Sequence, residues 1–210
     1  MRNKIIPLFI LAVPVLLGSM AFKKSSDSGE QPGMFGDIKM YLRFGAVGST
    51  IPPDFEGNSM ENGYNKWLEL GSYNLAANSS AYLSQSNGLT AGTATGSAIG
   101  VEILSASIAI PSLYIMACNQ DTTVIKNAVI DVGSVATGSF KKIERLELDG
   151  VMITDLSVSA NAVNPGQVNY NMSLNYKILK RTYYVYDPNT GAESGNVDFL
   201  WNYNKNEANN

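Results

Sequence analysis

Apolar and polar residues alternate without a break from Val168 to Ile178. Val168, Tyr170, Met172, Leu174, Tyr176 and Ile178 are interleaved with Asn169, Asn171, Ser173, Asn175 and Lys177. A period of two sends successive side chains to opposite faces of a strand. The chain runs on through 183–186, passes Asp187-Pro188-Asn189-Thr190-Gly191, and returns as Val197, Phe199, Trp201 and Tyr203, with Asp198 and Asn202 on the other parity. The expectation is a half-buried antiparallel hairpin closed by a turn. The same period recurs upstream. Ile38, Met40, Leu42 and Phe44 alternate with Lys39, Tyr41 and Arg43, giving a first strand. Residues 67–75 give a second, and 101–110 a third that alternates through Leu104, Ala106, Ile108 and Ile110. Further strands fall at 124–132, 143–148 and 151–159. Asp149-Gly150 between the last two is either a tight hairpin turn or a bulge in one long strand.

One stretch breaks the period. Pro111 suits the first turn of a helix, and Leu113, Met116, Ala117 and Gln120 follow at helical spacing. This predicts a single short helix of about three turns, ending near Asp121-Thr122-Thr123. Between the elements, 23–36 reads as a flexible linker and 45–63 as a long loop carrying Ile51-Pro52-Pro53-Asp54-Phe55. Residues 78–100, rich in Ser, Gly, Ala, Thr and Asn, form an unusually long loop of the functional or disordered kind. The sum is mostly β: about eight or nine strands around one helix. A barrel or tightly curled sandwich is the economical arrangement, because closure removes sheet edges.

The N-terminus belongs to a different class. Arg2 and Lys4 precede an apolar run over 5–17, interrupted by Pro7 and Pro14 and followed by Gly18-Ser19-Met20-Ala21. That is the order of a secretory signal peptide, with the cut between Ala21 and Phe22. An uncleaved membrane anchor and a buried helix remain alternatives. The run is short for a span, and Lys23 and Lys24 blur the charge asymmetry. The organisation expected is a signal or anchor over 1–21, a linker over 22–36, a β-domain over 37–204 and a disordered tail over 205–210.

Composition removes most chemistry. The 210 residues contain no histidine and one cysteine. Without histidine there is no Ser-His-Asp or Cys-His arrangement, no His-ligated zinc and no imidazole base. One cysteine excludes an intramolecular disulfide and a cysteine metal cluster. Cys118, inside the apolar stretch 113–118, reads as a small buried core residue. Only 16% of residues are charged, so the surface leans on Asn, Ser, Thr and Gly. Removing 1–21, which holds Arg2 and Lys4 and no acid, moves the formal net charge from −3 to −5. Such a body does not suit nucleic acid, which needs clustered Lys and Arg. Glu144, Glu147 and Asp149 are the nearest thing to an acid pair. Glu144 and Glu147 have opposite parity, so they point to different faces and read as exposed strand charges rather than a glycosidase pair. Residues 187–191 lack the ligands of a calcium loop, and 88–100 lack a Walker pattern. No catalytic, cofactor or metal site is expected.

The order of elements resembles the hemolysin-coregulated protein (Hcp) family, the tube subunit of type VI secretion systems. Ile38-Lys39-Met40-Tyr41-Leu42-Arg43-Phe44 looks like its opening strand, and Lys66-Trp67-Leu68-Glu69-Leu70-Gly71-Ser72-Tyr73 like its second. Ile110-Pro111-Ser112-Leu113-Tyr114-Ile115-Met116-Ala117-Cys118 is similar to its single helix. Residues 169–174, Tyr176, Tyr183 and 191–202 resemble its closing strands, so the likeness spans roughly 37–203. It implies a small β-barrel with a side helix. It also implies hexameric rings that stack into a tube, effector cargo in the lumen, a spike protein at the tip, and no active site. By position, 45–63 would be an inter-ring arm with Ile51, Pro52 and Phe55 as contacts; alternatively that loop packs on its own barrel. A secretory segment departs from the family, as do the longer loops. The alternative is an exported β-sandwich that binds carbohydrate or a surface partner, drawing on 11 tyrosines, Trp67 and Trp201. Tyr170, Tyr176, Tyr183, Trp201 and Tyr203 lie on apolar strand faces, which favours core packing for them.

Overall fold

In a computed structural model of the chain, the residues described are 36–79, 82–84, 88–90, 94–96, 98–104, 107–119, 125–136, 139–160, 168–187, 189–203 and 207–208. The segment expected to be a signal or anchor, with its Ala21/Phe22 junction, lies outside them. The principal strands are β1 (Asp37–Phe44), β2 (Leu68–Asn74), β7 (Ile99–Ile103), β8 (Ile125–Ala136), β9 (Ser139–Ala160), β10 (Val168–Asn175), β11 (Ile178–Tyr186) and β12 (Glu193–Asn202). Within 78–100, β3 (Ala77–Ser79) pairs with β6 (Ala94–Gly96), and β4 (Tyr82–Ser84) with β5 (Gly88–Thr90). These small ladders escape a search for alternation because short Ser, Thr, Ala and Gly side chains carry no hydrophobic period.

Six strands close on themselves. β1 pairs with β2 and β8, β8 with β9, β9 with β10, β10 with β7, and β7 with β2, every pair antiparallel. Closure leaves the barrel without an edge. Its interior is filled by Leu42, Phe44, Leu68, Ile103, Ile130, Leu146, Met172 and Leu174, all essentially buried.

β9 governs the rest. Its first half lies between β8 and β11, and its second half pairs with β10. Asp149-Gly150 is therefore a bend within one 22-residue strand, with Gly150 at φ +64°. That left-handed backbone favours glycine. β11 and β12 form a two-stranded wing rooted on β9, and β13 (Glu207–Ala208) adds a short pairing to Trp201 and Asn202. The turn joining the wing strands is held by the Asp187 carboxylate, which accepts from the amides of Asn189 and Thr190 at 2.7 and 3.0 Å. Gly191 sits at φ +65°.

Helix α1 (Ala109–Cys118) lies against β9 and a 3-10 turn at Pro53–Phe55, with Ala109 and Leu113 fully buried. Two expectations change here. The third strand stops at Ile103, not Ile110, and Leu104 and Ile108 are exposed. The apparent alternation continued into a connection, while Pro111 sits in a first helical turn that opens two residues earlier. A third change concerns 168–178. The strand breaks at Tyr176-Lys177, and β10 and β11 are not partners: β10 joins β7 and β9, whereas β11 joins β9 and β12.

A second core forms outside the barrel wall. Residues 45–66 cross the outer face of β1 and β8, so Tyr41, Ile51, Tyr64, Trp67 and Val129 pack together. Tyr41 and Tyr64 stack with centroids 4.6 Å apart, and Phe140 lies 4.5 Å from Tyr64. Beneath them Asp131 is wholly buried, gripped by Arg145 Nε and Nη2, each at 2.7 Å, and by the Tyr64 hydroxyl at 3.0 Å. Two parallel N–H···O bonds fix this pair geometrically as well as electrostatically.

Candidate assembly surfaces

Directly opposed residues of antiparallel strands share a face. Leu148 faces Leu179, which faces Trp201; Leu146 faces Arg181, which faces Phe199; Glu144 faces Tyr183, which faces Val197. One row thus runs from the barrel core out along the wing. Near the root it is covered: Leu148 and Leu179 are 1% exposed. Farther out it is open among the described residues: Val197 is 62% exposed, Val185 48% and Phe199 44%. The hairpin is antiparallel as expected, but its apolar face is buried only at the root, and Tyr183 is exposed rather than in the core. Among the described residues, the outer edge of β12 from Glu193 to Leu200 has no strand partner, since β13 reaches only Trp201 and Asn202.

Charges organise the root of this face. The Arg181 guanidinium pairs with Glu144 and lies 4.7 Å from the Tyr183 ring. Glu144 also accepts from the Tyr73 hydroxyl at 2.6 Å. Tyr73 is on β2, separated from β9 by β1 and β8, so this bond crosses the barrel interior. Burial, reinforced by the bond to Glu144, pushes the Tyr73 hydroxyl up to about 12. Glu144 is therefore a buried structural carboxylate, not the exposed strand charge its sequence context implied. Glu147 points the other way, toward Lys180 at 3.8 Å, and Lys180 also reaches Asp198 at 3.1 Å. Glu144 and Glu147 do not converge, and Asp149 is exposed. Among the described residues no group of histidine, cysteine and carboxylates is placed to hold a metal.

The loop 45–66 is fastened to its own barrel. Ile51 is buried against Tyr64 and Trp67, and Phe55 packs 5.4 Å from Phe44. Pro52, Val47 and Met60 stay exposed. Gly57 makes the close approach: a Cβ there would meet the Trp67 carbonyl oxygen at 2.1 Å. Arg43 donates to the Ser49 carbonyl at 2.6 Å and lies over Trp67, while its charge is opposed by burial and by Arg145.

Cys118 is exposed at the end of α1, contrary to the expectation of a core thiol. The helix is apolar on two sides: Leu113 points inward, while Tyr114 and Ile115 face outward. Sequence reasoning missed the Asp131–Arg145 pair. A signal was available, because an acid inside Val129-Ile130-Asp131-Val132 must be either paired or at an edge. No helix among the described residues is long and apolar enough to cross a membrane.

A family model described as "Type VI secretion system effector, Hcp" matches residues 41–183. No curated protein matches the sequence. Among solved structures, a type six secretion system protein superposes with a TM-score of 0.70 at 17% identity, covering 82% of this chain and 100% of that one. Hcp1 from Salmonella typhimurium gives 0.62 at 13% identity over 82% and 99%. A type VI secretion system effector from Yersinia pestis gives 0.55 at 13% identity over 78% and 98%. At these identities the structural likeness speaks to the fold.

Proposed function

This chain belongs to the Hcp family of type VI secretion proteins, and on that premise we propose that it is a non-enzymatic tube subunit whose copies join into hexameric rings and stack. The observation that carries this reading is the overhanging wing. Large apolar side chains, Tyr183, Val185, Val197 and Phe199, stand on one face beside an open strand edge. Exposed apolar surface of this kind marks an interaction site, and an unpaired edge is an aggregation hazard unless a partner or another element covers it. A neighbouring copy covers this face and the edge from Val197 to Leu200 at once, leaving Glu193 open. The loop 45–63 then meets the next ring. Ile51 and Phe55 act as its anchors on the barrel and Pro52 as part of the outward contact. Effector cargo in the lumen and a spike protein at the tip are the partners this role requires. The N-terminal segment directs export or anchoring, with Ala21/Phe22 as the junction if it is cleaved.

Negative-stain imaging and native mass spectrometry of the full chain test assembly. Rings of a single size are expected. Replacing Val197 and Phe199 with aspartate should leave a folded monomer by circular dichroism and remove the rings. A wild-type chain that stays monomeric at high concentration overturns the reading. N-terminal sequencing of the exported product is expected to begin at Phe22.

A further inference from the structure

On the outer side of the wing, opposite the apolar face, a cavity of about 460 Å³ opens between the start of β9, the wing strands and the loop at Glu61. The volume lies within the usual range for a small-molecule site. Its walls carry Phe140, Tyr184, Tyr186, Lys142, Glu61 and Glu193. From sequence, Tyr184 and Tyr186 counted only among the 11 tyrosines of the carbohydrate-binding alternative, and the other four were not nominated. The aromatic pair that matters is Tyr184 and Tyr186, on the strand parity opposite to Tyr183.

The walls are held in place by contacts internal to the chain. The Tyr186 hydroxyl donates to the Lys142 carbonyl at 2.7 Å, and Lys141 donates to the Gly191 carbonyl at 2.9 Å, pinning the wing turn against β9. The Lys142 ammonium lies 3.8 Å from buried Asp131 and 5.0 Å from the Tyr184 ring. Burial opposes its charge and lowers it from the ordinary lysine value. Glu61 is occupied by Lys39 at 2.8 Å. Glu193 is exposed on the rim.

These charges decide the occupant. Lys141 and Lys142 already lie over the Tyr186 and Tyr184 rings, so a cationic ligand would be repelled from the faces it would use. An anion meets the Glu193 carboxylate, while the cations at hand are already engaged, Lys39 by Glu61 and Lys142 by Asp131. A neutral ligand rich in hydroxyl groups meets neither objection. Its hydroxyls can donate to the carboxylates and accept from Lys142, Asn62 and Ser139, and its C–H faces can lie against aromatic walls. We propose that this cavity is a binding site for a neutral saccharide, separate from the wing's assembly face and independent of ring formation.

Isothermal titration of the full chain, with neutral oligosaccharides (maltotriose, cellotriose, mannotriose and chitotriose) against trigalacturonate and trilysine, tests this. At least one neutral trisaccharide should bind, with the two charged probes showing weaker binding or none. Glu193→Ala, at an exposed position, and Tyr184→Ala should each weaken that binding by about tenfold with the far-ultraviolet spectrum unchanged. The proposal is overturned if no neutral saccharide binds at millimolar concentration or if a charged probe binds more tightly. It is also overturned if Glu193→Ala leaves affinity unchanged. Titrating the Val197 and Phe199 aspartate variant separates this from assembly: saccharide binding should persist in the monomer, and its loss there would contradict independence.

Discussion

Asp131 sets the sharpest expectation at a single side chain. It is wholly buried and its charge is answered by Arg145 and the Tyr64 hydroxyl. Removing one partner strands the other, so Asp131→Ala should lower stability by about 3–5 kcal/mol, read from urea denaturation. Arg145→Met should cost a similar amount, and the double variant less than the sum. Tyr73 gives a pH dependence. Its hydroxyl is held neutral by burial and by donation to Glu144, with its value raised from 10.0 to about 12. A raised value means the contribution is intact below pH 10 and is lost as pH climbs from 10 toward 12. In thermal melts across that interval, Tyr73→Phe should therefore show a shallower decline than wild type. Gly57→Ala brings a Cβ against backbone atoms of Trp67 and Leu68 and should cost about 1–3 kcal/mol through local displacement. Limited proteolysis of the loop should report it.

Among the elements, β9 and its bend are the test of the architecture. Gly150 at φ +64° tolerates no branched residue cheaply, and Gly150→Val should destabilise by about 1–2 kcal/mol from backbone strain alone. The sequence foretold much of this framework and misjudged it in instructive places. Alternation at Leu42 and Phe44 gave the right interior for β1. Parity cannot reveal that Tyr41 and Arg43, on the opposite side, are buried by residues brought from 45–66. Alternation through Leu104 to Ile110 was accidental, and Pro111 was the better guide. Cys118 seemed internal because its neighbours are apolar, yet α1 is apolar on two sides and only one meets the barrel. The apolar row Val197, Phe199 and Trp201, proposed for assembly, was legible as one face of a hairpin. Its exposure was not, because that depends on how far the wing extends past β9. The saccharide cavity was invisible, since Glu61, Phe140 and Tyr184 come from separate elements.

For the whole molecule, most stabilising contacts join residues distant in sequence: β1 with β8, β7 with β10, β2 with β7. Loop closure must precede such contacts, which places folding in the millisecond-to-second class typical of β-barrels. Stopped-flow fluorescence should follow it through buried Trp67, with refolding in milliseconds to seconds rather than microseconds. Under the proposed assembly, a lone chain is an incomplete object whose exposed apolar row is covered by a neighbour. The long β9 strand then acquires a mechanical meaning. A single covalent backbone serves as both a stave of the barrel and the root of the wing, with no intervening linker. Force applied by an adjoining subunit would pass straight into the cylinder wall, so a stacked column would resist bending at each protomer instead of yielding at a joint.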